Sequence, residues 1–464
     1  MTDAITENGC IITVVFKIYT KIYPIKEGVY EAFLKKPLTV YLLLFLSTTL
    51  LGALLLYLPW TGKQYTSFID AFFVASSAFT VTGLSTVDIT SQFNWLGDLI
   101  IMFLIQIGGL GIVTITTLTL IIANRRISMH ERKLIMVTWN VDEPGGMVRL
   151  IRQLTLYSLS TEFIGMLLLA LSFVPRYGFG KGLFISIFTS VSAFNNAGFA
   201  LFSKNMIGFN DDPVVTLVIP ILIIMGGLGP VVMSDLVKTR RLNKLKLHTK
   251  VVLSTTLVLI FGGMALYFLL EFNNTLKPFS MWGKLGTSFF QSVTTRTAGF
   301  QSVDLELIHT PTALMMMVLM FIGGAPFSAA GGIKVTTFIV MIMFVYSTLR
   351  NEDHTTIFSR TIKPKTIAKA IAVTTVSFIF VLTVTFIVSL LNETTPFMKI
   401  IFEVVSAFGT VGLSMNFTSE YGTLTKIIII IVMICGKLGV VTVLALFIPS
   451  KKRFYQYAKG NIYL

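Results

Sequence analysis

Charge is what this sequence most conspicuously lacks. Of 464 residues only 13% are Asp, Glu, Lys or Arg, about half the share of an average soluble domain. The shortage is concentrated in long stretches with at most one charge, 38–58, 154–174, 251–270 and 427–447, where Glu162 and Lys437 are the only charged side chains. Two cysteines, Cys10 and Cys435, exclude a disulfide scaffold. Four histidines, His130, His248, His309 and His354, are scattered between apolar stretches and argue against a metal centre. Gly-x-x-x-x-Gly-Lys, Gly-x-Ser-x-Gly and His-Glu-x-x-His are all missing, so neither a nucleotide-hydrolysing site nor a hydrolase site is expected, and the chain is not read as an enzyme. The N-terminus has no short apolar region with a cleavage site, so the first apolar stretch is expected to remain in the protein.

What is present points to a membrane. Hydrophobic residues make up 54% of the chain, the mean hydropathy is +0.80, and each apolar stretch reaches the roughly 20 residues a helix needs to cross a bilayer. The net charge of +15 could suggest nucleic acid, but its distribution argues otherwise. Most basic residues fall in five short segments between or outside the apolar blocks. They include Lys17–Lys36, Arg125–Arg152, Lys238–Lys250, Arg350–Lys369 and Lys451–Lys459. Short basic loops mark cytoplasmic faces, with anionic lipid as their neighbour.

Four stretches share one pattern: Ala78-Phe79-Thr80-Val81-Thr82-Gly83-Leu84, Ala193-Phe194-Asn195-Asn196-Ala197-Gly198-Phe199, Thr294-Thr295-Arg296-Thr297-Ala298-Gly299-Phe300 and Ala407-Phe408-Gly409-Thr410-Val411-Gly412-Leu413. Each follows a short apolar segment that is too short to span and long enough for a re-entrant half-helix. A second landmark trails each one: Gly108-Gly109-Leu110-Gly111, Gly226-Gly227-Leu228-Gly229, Gly323-Gly324-Ala325 and Gly436-Lys437-Leu438-Gly439. The separations from the pattern glycine are 25, 28, 24 and 24 residues. Tight helix packing could explain any single motif, but not four in register.

The expected fold is therefore all-α and polytopic, with four helix–pore loop–helix repeats around one pseudo-fourfold pore. The units are 38–123, 151–237, 250–349 and 366–448, flanked by cytoplasmic segments at 1–37 and 449–464; the first of these is a candidate amphipathic helix. A re-entrant segment enters and leaves on one side, which places both termini on the basic, cytoplasmic face.

Non-helical backbone at membrane depth is tolerated only where it lines water or is buried in protein. Glycine allows a strand to aim consecutive carbonyls one way, and four such strands give rings of oxygens that can replace an ion's hydration shell. Filter candidates are Val81, Thr82, Gly83; Asn196, Ala197, Gly198; Thr297, Ala298, Gly299; and Thr410, Val411, Gly412. No carboxylate interrupts these strands, which favours a weakly hydrated monovalent cation.

On these motifs the chain resembles the Trk/Ktr/HKT potassium transporter superfamily, closest to the bacterial KtrB-type membrane subunits, over nearly its whole length. The resemblance implies a homodimer with one pore per protomer, and a cytosolic ring of nucleotide-binding RCK (KtrA-type) subunits that gates it. It also implies K+ as the transported ion in the cell membrane, with Na+ as a candidate co-ion, no bound organic cofactor and no nucleic acid. In the plant branch a serine at the first filter glycine is linked to sodium; Gly83 here points to potassium. A sodium-coupled symporter is the alternative.

The third unit departs from the others at 323–332, where four glycines (Gly323, Gly324, Gly331, Gly332) and Pro326 fall in ten residues. That composition breaks a helix and suggests a gate loop under the filter, as the resemblance also implies. Lys437 stands where the family has arginine, and it is expected to form an electrostatic barrier. Arg296 would repel cations if it lined the filter, so it is expected to point behind the wall and pair with Glu403. Glu162 needs a polar partner that the sequence does not name.

Overall fold

The computed structural model describes residues 37–111, 114, 147–239, 241–326 and 328–444. The proposed N-terminal segment, Cys10, His130, most of the first two basic clusters and the C-terminal tail lie outside the described residues.

Four units follow one another, each made of a first helix, a short re-entrant helix and a second helix. They are α1 Pro37–Tyr57, α2 Phe68–Thr80 and α3 Trp95–Leu110; α4 Met147–Tyr177, α5 Phe179–Phe194 and α6 Pro213–Thr239; α7 Leu247–Glu271, α8 Met281–Thr294 and α9 Thr310–Phe321, continued as α10 Val335–Leu349; and α11 Pro364–Leu391, α12 Phe397–Gly409 and α13 Thr423–Leu438, continued as α14 Val440–Leu444. An antiparallel pair, Thr356–Ile357 with Arg360–Thr361, lies between α10 and α11.

Local chemistry sets the starts of these helices. Ser67 Oγ accepts from Asp70 N–H at 3.2 Å to cap α2, Asn94 Oδ1 accepts from Leu96 N–H at 2.9 Å to cap α3, and Ser280 Oγ accepts from Gly283 N–H at 3.1 Å to cap α8. Such caps satisfy amides that have no partner within the helix. Glu271, the last residue of α7, accepts from His309 N–H (2.9 Å) and Thr312 Oγ1 (2.6 Å), and so ties the end of α7 to the start of α9.

The order around the axis follows from the packing. The second helix of each unit packs on the re-entrant helix of the next: α3 on α5, α6 on α8, α9 on α12 and α13 on α2. The last of these contacts closes the circle. Buried phenylalanines fill the joints, among them Phe79, Phe188, Phe290, Phe402 and Phe408, with Phe45 edge-on to Phe79 at 4.6 Å.

The outer ring belongs to the first helices. In α4, α7 and α11 only 39, 39 and 28% of the most apolar window is buried, against 56% in α6, so the first helices turn their leucines and isoleucines to lipid. The exposed Trp60, Trp95 and Trp282 all lie near the ends where the loops before the second helices run, the position of an interfacial aromatic belt. We call this end the loop face, and the opposite end, where successive units join, the connector face.

The run at 427–447 reads in sequence as one span, but α13 stops at Leu438 and Gly439 takes φ +87°. The same break occurs at Gly111 (φ +83°) and inside α6 at Gly229 (φ +74°). In the third unit it widens into a loop between α9 and α10. A glycine lets the axis jog at each break.

Candidate functional site

The four strands that leave α2, α5, α8 and α12 share an unusual backbone. Two residues before each motif glycine, φ is positive: +53° at Val81, +58° at Asn196, +74° at Thr297 and +48° at Thr410. The glycines themselves take +98°, +71°, +77° and +90° at Gly83, Gly198, Gly299 and Gly412. Left-handed conformations at valine and threonine are strained, at about 1–3 kcal/mol each. The alternation of hand turns successive carbonyls the same way.

The glycines also interlock. A Cβ added to Gly83 would lie 2.5 Å from Ala197 O, and one on Gly198 2.6 Å from Ala298 O. On Gly299 and Gly412 it would fall still closer to Val411 O and Thr82 O. Each unit's glycine thus abuts the next unit's carbonyl, and the sequence of contacts runs through units one, two, three and four and returns to the first.

Below the strands the second helices approach just as closely. A Cβ on Gly108, Gly226 or Gly436 would overlap the carbonyl oxygen of Phe79, Phe194 or Phe408, the last turn of its own unit's re-entrant helix. In units one, two and four this contact explains the near-constant register between the two landmarks.

A family model described as TrkH, cation transport protein, matches residues 7–456. The chain belongs to that family. Among its TrkH-family relatives is the Ktr system potassium uptake protein B of Bacillus subtilis, 43% identical over 421 residues, covering 90% of this chain and 94% of the relative. The potassium/sodium uptake protein NtpJ of Enterococcus hirae is 36% identical over 427 residues, covering 89% and 94%. The crystal structure of the potassium transporter TrkH from Vibrio parahaemolyticus superposes with a TM-score of 0.69 at 18% identity, over 87% of this chain and 84% of that one. The shared fold is a multi-pass membrane protein.

Within this TrkH-family frame the loop of the third unit lies under the strands and is tied on every side. Gly323 N–H donates to Ile333 O (2.8 Å), Ala325 N–H to Gly227 O (3.0 Å) of the second unit, and Gly332 N–H to Gly436 O (3.3 Å) of the fourth. Gly331 N–H reaches Thr410 Oγ1 at 3.1 Å. Gly324 is buried beside them. Three cationic side chains hold its carbonyls: Lys437 Nζ donates to Ala329 O at 2.6 Å, Arg296 Nη2 to Gly323 O at 3.4 Å, and Lys334 Nζ to Ala330 O.

The expected ion pair of Arg296 with Glu403 is not formed. Glu403, fully buried in α12, accepts from Phe417 N–H (2.9 Å), Thr418 Oγ1 (2.7 Å), Tyr421 OH (2.5 Å) and Ser414 Oγ, all beyond the motif glycine toward the loop face. Arg296 points the other way, to the loop beneath. Units three and four do adjoin, but Arg296 lies against unit two and the two groups lie at opposite ends of the strands.

Residues the sequence did not single out brace the strands. Ser77 Oγ accepts from Gly83 N–H and Ser406 Oγ from Gly412 N–H, both at 3.0 Å. Ser192 occupies the same position in the second unit with its hydroxyl unpartnered, and Val293 occupies it in the third. A serine six residues before the glycine in units one, two and four was a readable signal.

Proposed function

We propose that the chain is the potassium-translocating subunit of a Ktr/Trk-type uptake system, channel-like and selective through the four strands. The observation that carries this reading is the closed cycle of glycine–carbonyl contacts. It builds one axial set of backbone oxygens, in which Val81, Thr82 and Gly83 with their counterparts 196–198, 297–299 and 410–412 replace potassium's water. The loop at 323–332 is the gate: it crosses beneath that axis, and Lys437, Arg296 and Lys334 occupy carbonyls that a conducting path would offer to ions. The loop face is extracellular and the connector face cytoplasmic, so both termini are cytoplasmic. Exposed basic residues at the connector face, such as Lys244 and Arg360, suit a cytosolic nucleotide-binding RCK-type ring and anionic lipid. The protein works as a homodimer with one pore per protomer. Alternating access between inverted repeats is the usual architecture of a coupled symporter; four units of one orientation around one axis favour conduction instead.

The test is cation flux in liposomes. Potential-driven 86Rb+ uptake well above 22Na+ uptake is expected, with Gly83→Ser narrowing the ratio. Equal Rb+ and Na+ flux, or none, overturns the assignment.

A further inference from the structure

Glu162 lies midway along α4 and is 6% exposed. Its Oε1 accepts from Ser158 Oγ (2.9 Å), Gln106 Nε2 (3.1 Å) and Asn195 Nδ2 (3.1 Å). Asn195 Nδ2 also reaches Gln106 Oε1 at 3.0 Å. Gln106 precedes the break in the second helix of the first unit, and Asn195 begins the strand of the second. The carboxylate therefore sits at the seam between units one and two, at the connector end of the strands.

Its surroundings are unusual in two ways. All three donors are neutral, and among the described residues no Lys, Arg or His is within ion-pair distance, the ion pairs being Arg176–Asp212, Lys399–Glu306 and Lys426–Asp70. Among the described residues it is also the one acidic side chain buried at this depth. Asp70, Asp98, Glu271 and Glu403 turn to the loop face, and Asp235 lies at the connector end of α6. A deep, unpaired carboxylate is costly unless its charge is used.

Two of the three cations at this depth lie on the other side. Lys437 of the fourth unit bonds Ala329 of the third, and Lys334 of the third holds Ala330; Arg296 of the third unit instead lies against the second, beside Ile223 and Gly227. In the cyclic order of units, the seam between one and two is diametrically opposite the seam between three and four. Lys437 and Lys334 on one wall and a lone anion on the other give the space beneath the strands a transverse field.

We infer that Glu162 is a fixed negative charge that draws the permeating cation to the wall of units one and two as it leaves the strands. It acts through the field rather than by contact, with Gln106 and Asn195 as its positioning residues. This inference rests on the proposed ion conduction.

Glu162→Gln keeps an acceptor oxygen for all three donors and removes the charge, with a neutral amide NH2 in place of the second oxygen. In liposomes it is expected to raise the half-saturating 86Rb+ concentration about tenfold, with the thermal unfolding midpoint of the purified protein unchanged or raised. The exchanged pair Gln106→Glu with Glu162→Gln returns the charge to the same cluster and should restore half-saturation to within about twofold of wild type. Wild-type half-saturation in a folded Glu162→Gln protein overturns the inference. Where Glu162→Gln does not fold, the exchanged pair carries the test: near-wild-type half-saturation supports the role of the charge, and loss of affinity in the folded, exchanged protein overturns it. A wild-type protein that carries no Rb+ overturns the proposed function itself, and this inference with it.

Discussion

The first and fourth units finish their re-entrant helices in the same way, and the third does not. In units one and four a left-handed residue caps the helix, its N–H bonding back to Ala78 O or Ala407 O. The glycine N–H then meets a serine hydroxyl. In unit three regular helix stops at Thr294, Arg296 N–H takes Val293 O, and Gly299 N–H makes a long 3.4 Å bond to Thr294 O. Valine stands where the bracing serine would be, so Thr294 Oγ1 holds Phe300 O instead, at 2.8 Å. The same unit opens its second helix into the loop. The difference teaches that symmetry is kept where each glycine must meet the next unit's carbonyl and given up where a strand stands over the loop of 323–332.

The severest test of the shared half is Gly412→Ala. The positive φ and the overlap with Thr82 O strain the variant whatever its neighbours do, and a loss of Rb+ flux of about a hundredfold is expected. Flux per folded protein in liposomes measures it, and a small loss would show that the cycle of contacts is not needed. The divergent half is tested by Lys437→Met, which removes the donor to Ala329 O. A rise of about fivefold to tenfold in flux without any partner protein is expected if the fourth unit holds the third unit's loop shut; unchanged flux counts against that.

Ser406→Ala and Ser192→Ala sharpen the contrast between braced and unbraced strands. The first leaves Gly412 N–H buried without a partner, which costs about 1–3 kcal/mol, and the Rb+/Na+ flux ratio should fall about fivefold. The second removes a hydroxyl that bonds nothing, and the ratio should not move. The smallest effect belongs to the loop-face pair of units three and four, Lys399 Nζ to Glu306 Oε1 at 2.5 Å. Lys399 holds the Glu306 carboxyl below its ordinary range, and Glu306 raises the Lys399 ammonium. The stability from Glu306 is therefore complete above the usual carboxylate range and is lost as pH falls through the lowered value. The stability from Lys399 is lost only as pH rises through its raised value. Glu306→Gln should cost about 0.5 kcal/mol or less at neutral pH, with the difference from wild type vanishing in acid, as read from thermal unfolding midpoints.

The repeated glycines and their register were legible because close backbone approach admits one residue type, so the constraint is written in the sequence. The break at 323–332 was legible for the same reason. Left-handed Val81, Thr297 and Thr410 were not: local propensity forbids them, and only the surrounding helices impose them. The error over Arg296 and Glu403 has a similar source. Repeat order tells which quarter neighbours which, but the depth at which a side chain ends depends on its direction along the helix. Glu162 announced its need for a partner, and three neutral donors on three different segments met it, a combination with no sequence signature.

The contact of Gly412 with Thr82 joins the fourth unit to the first, across 330 residues of sequence. Until the fourth strand is in place, Gly299 has no Val411 carbonyl to lie against and Thr82 faces an open side. Three units alone therefore leave the cycle of contacts open, and a product truncated before residue 412 lacks the strand that closes it. The contact that closes the cycle thus belongs to the fourth unit, and without it the first three form an open arc instead of a ring.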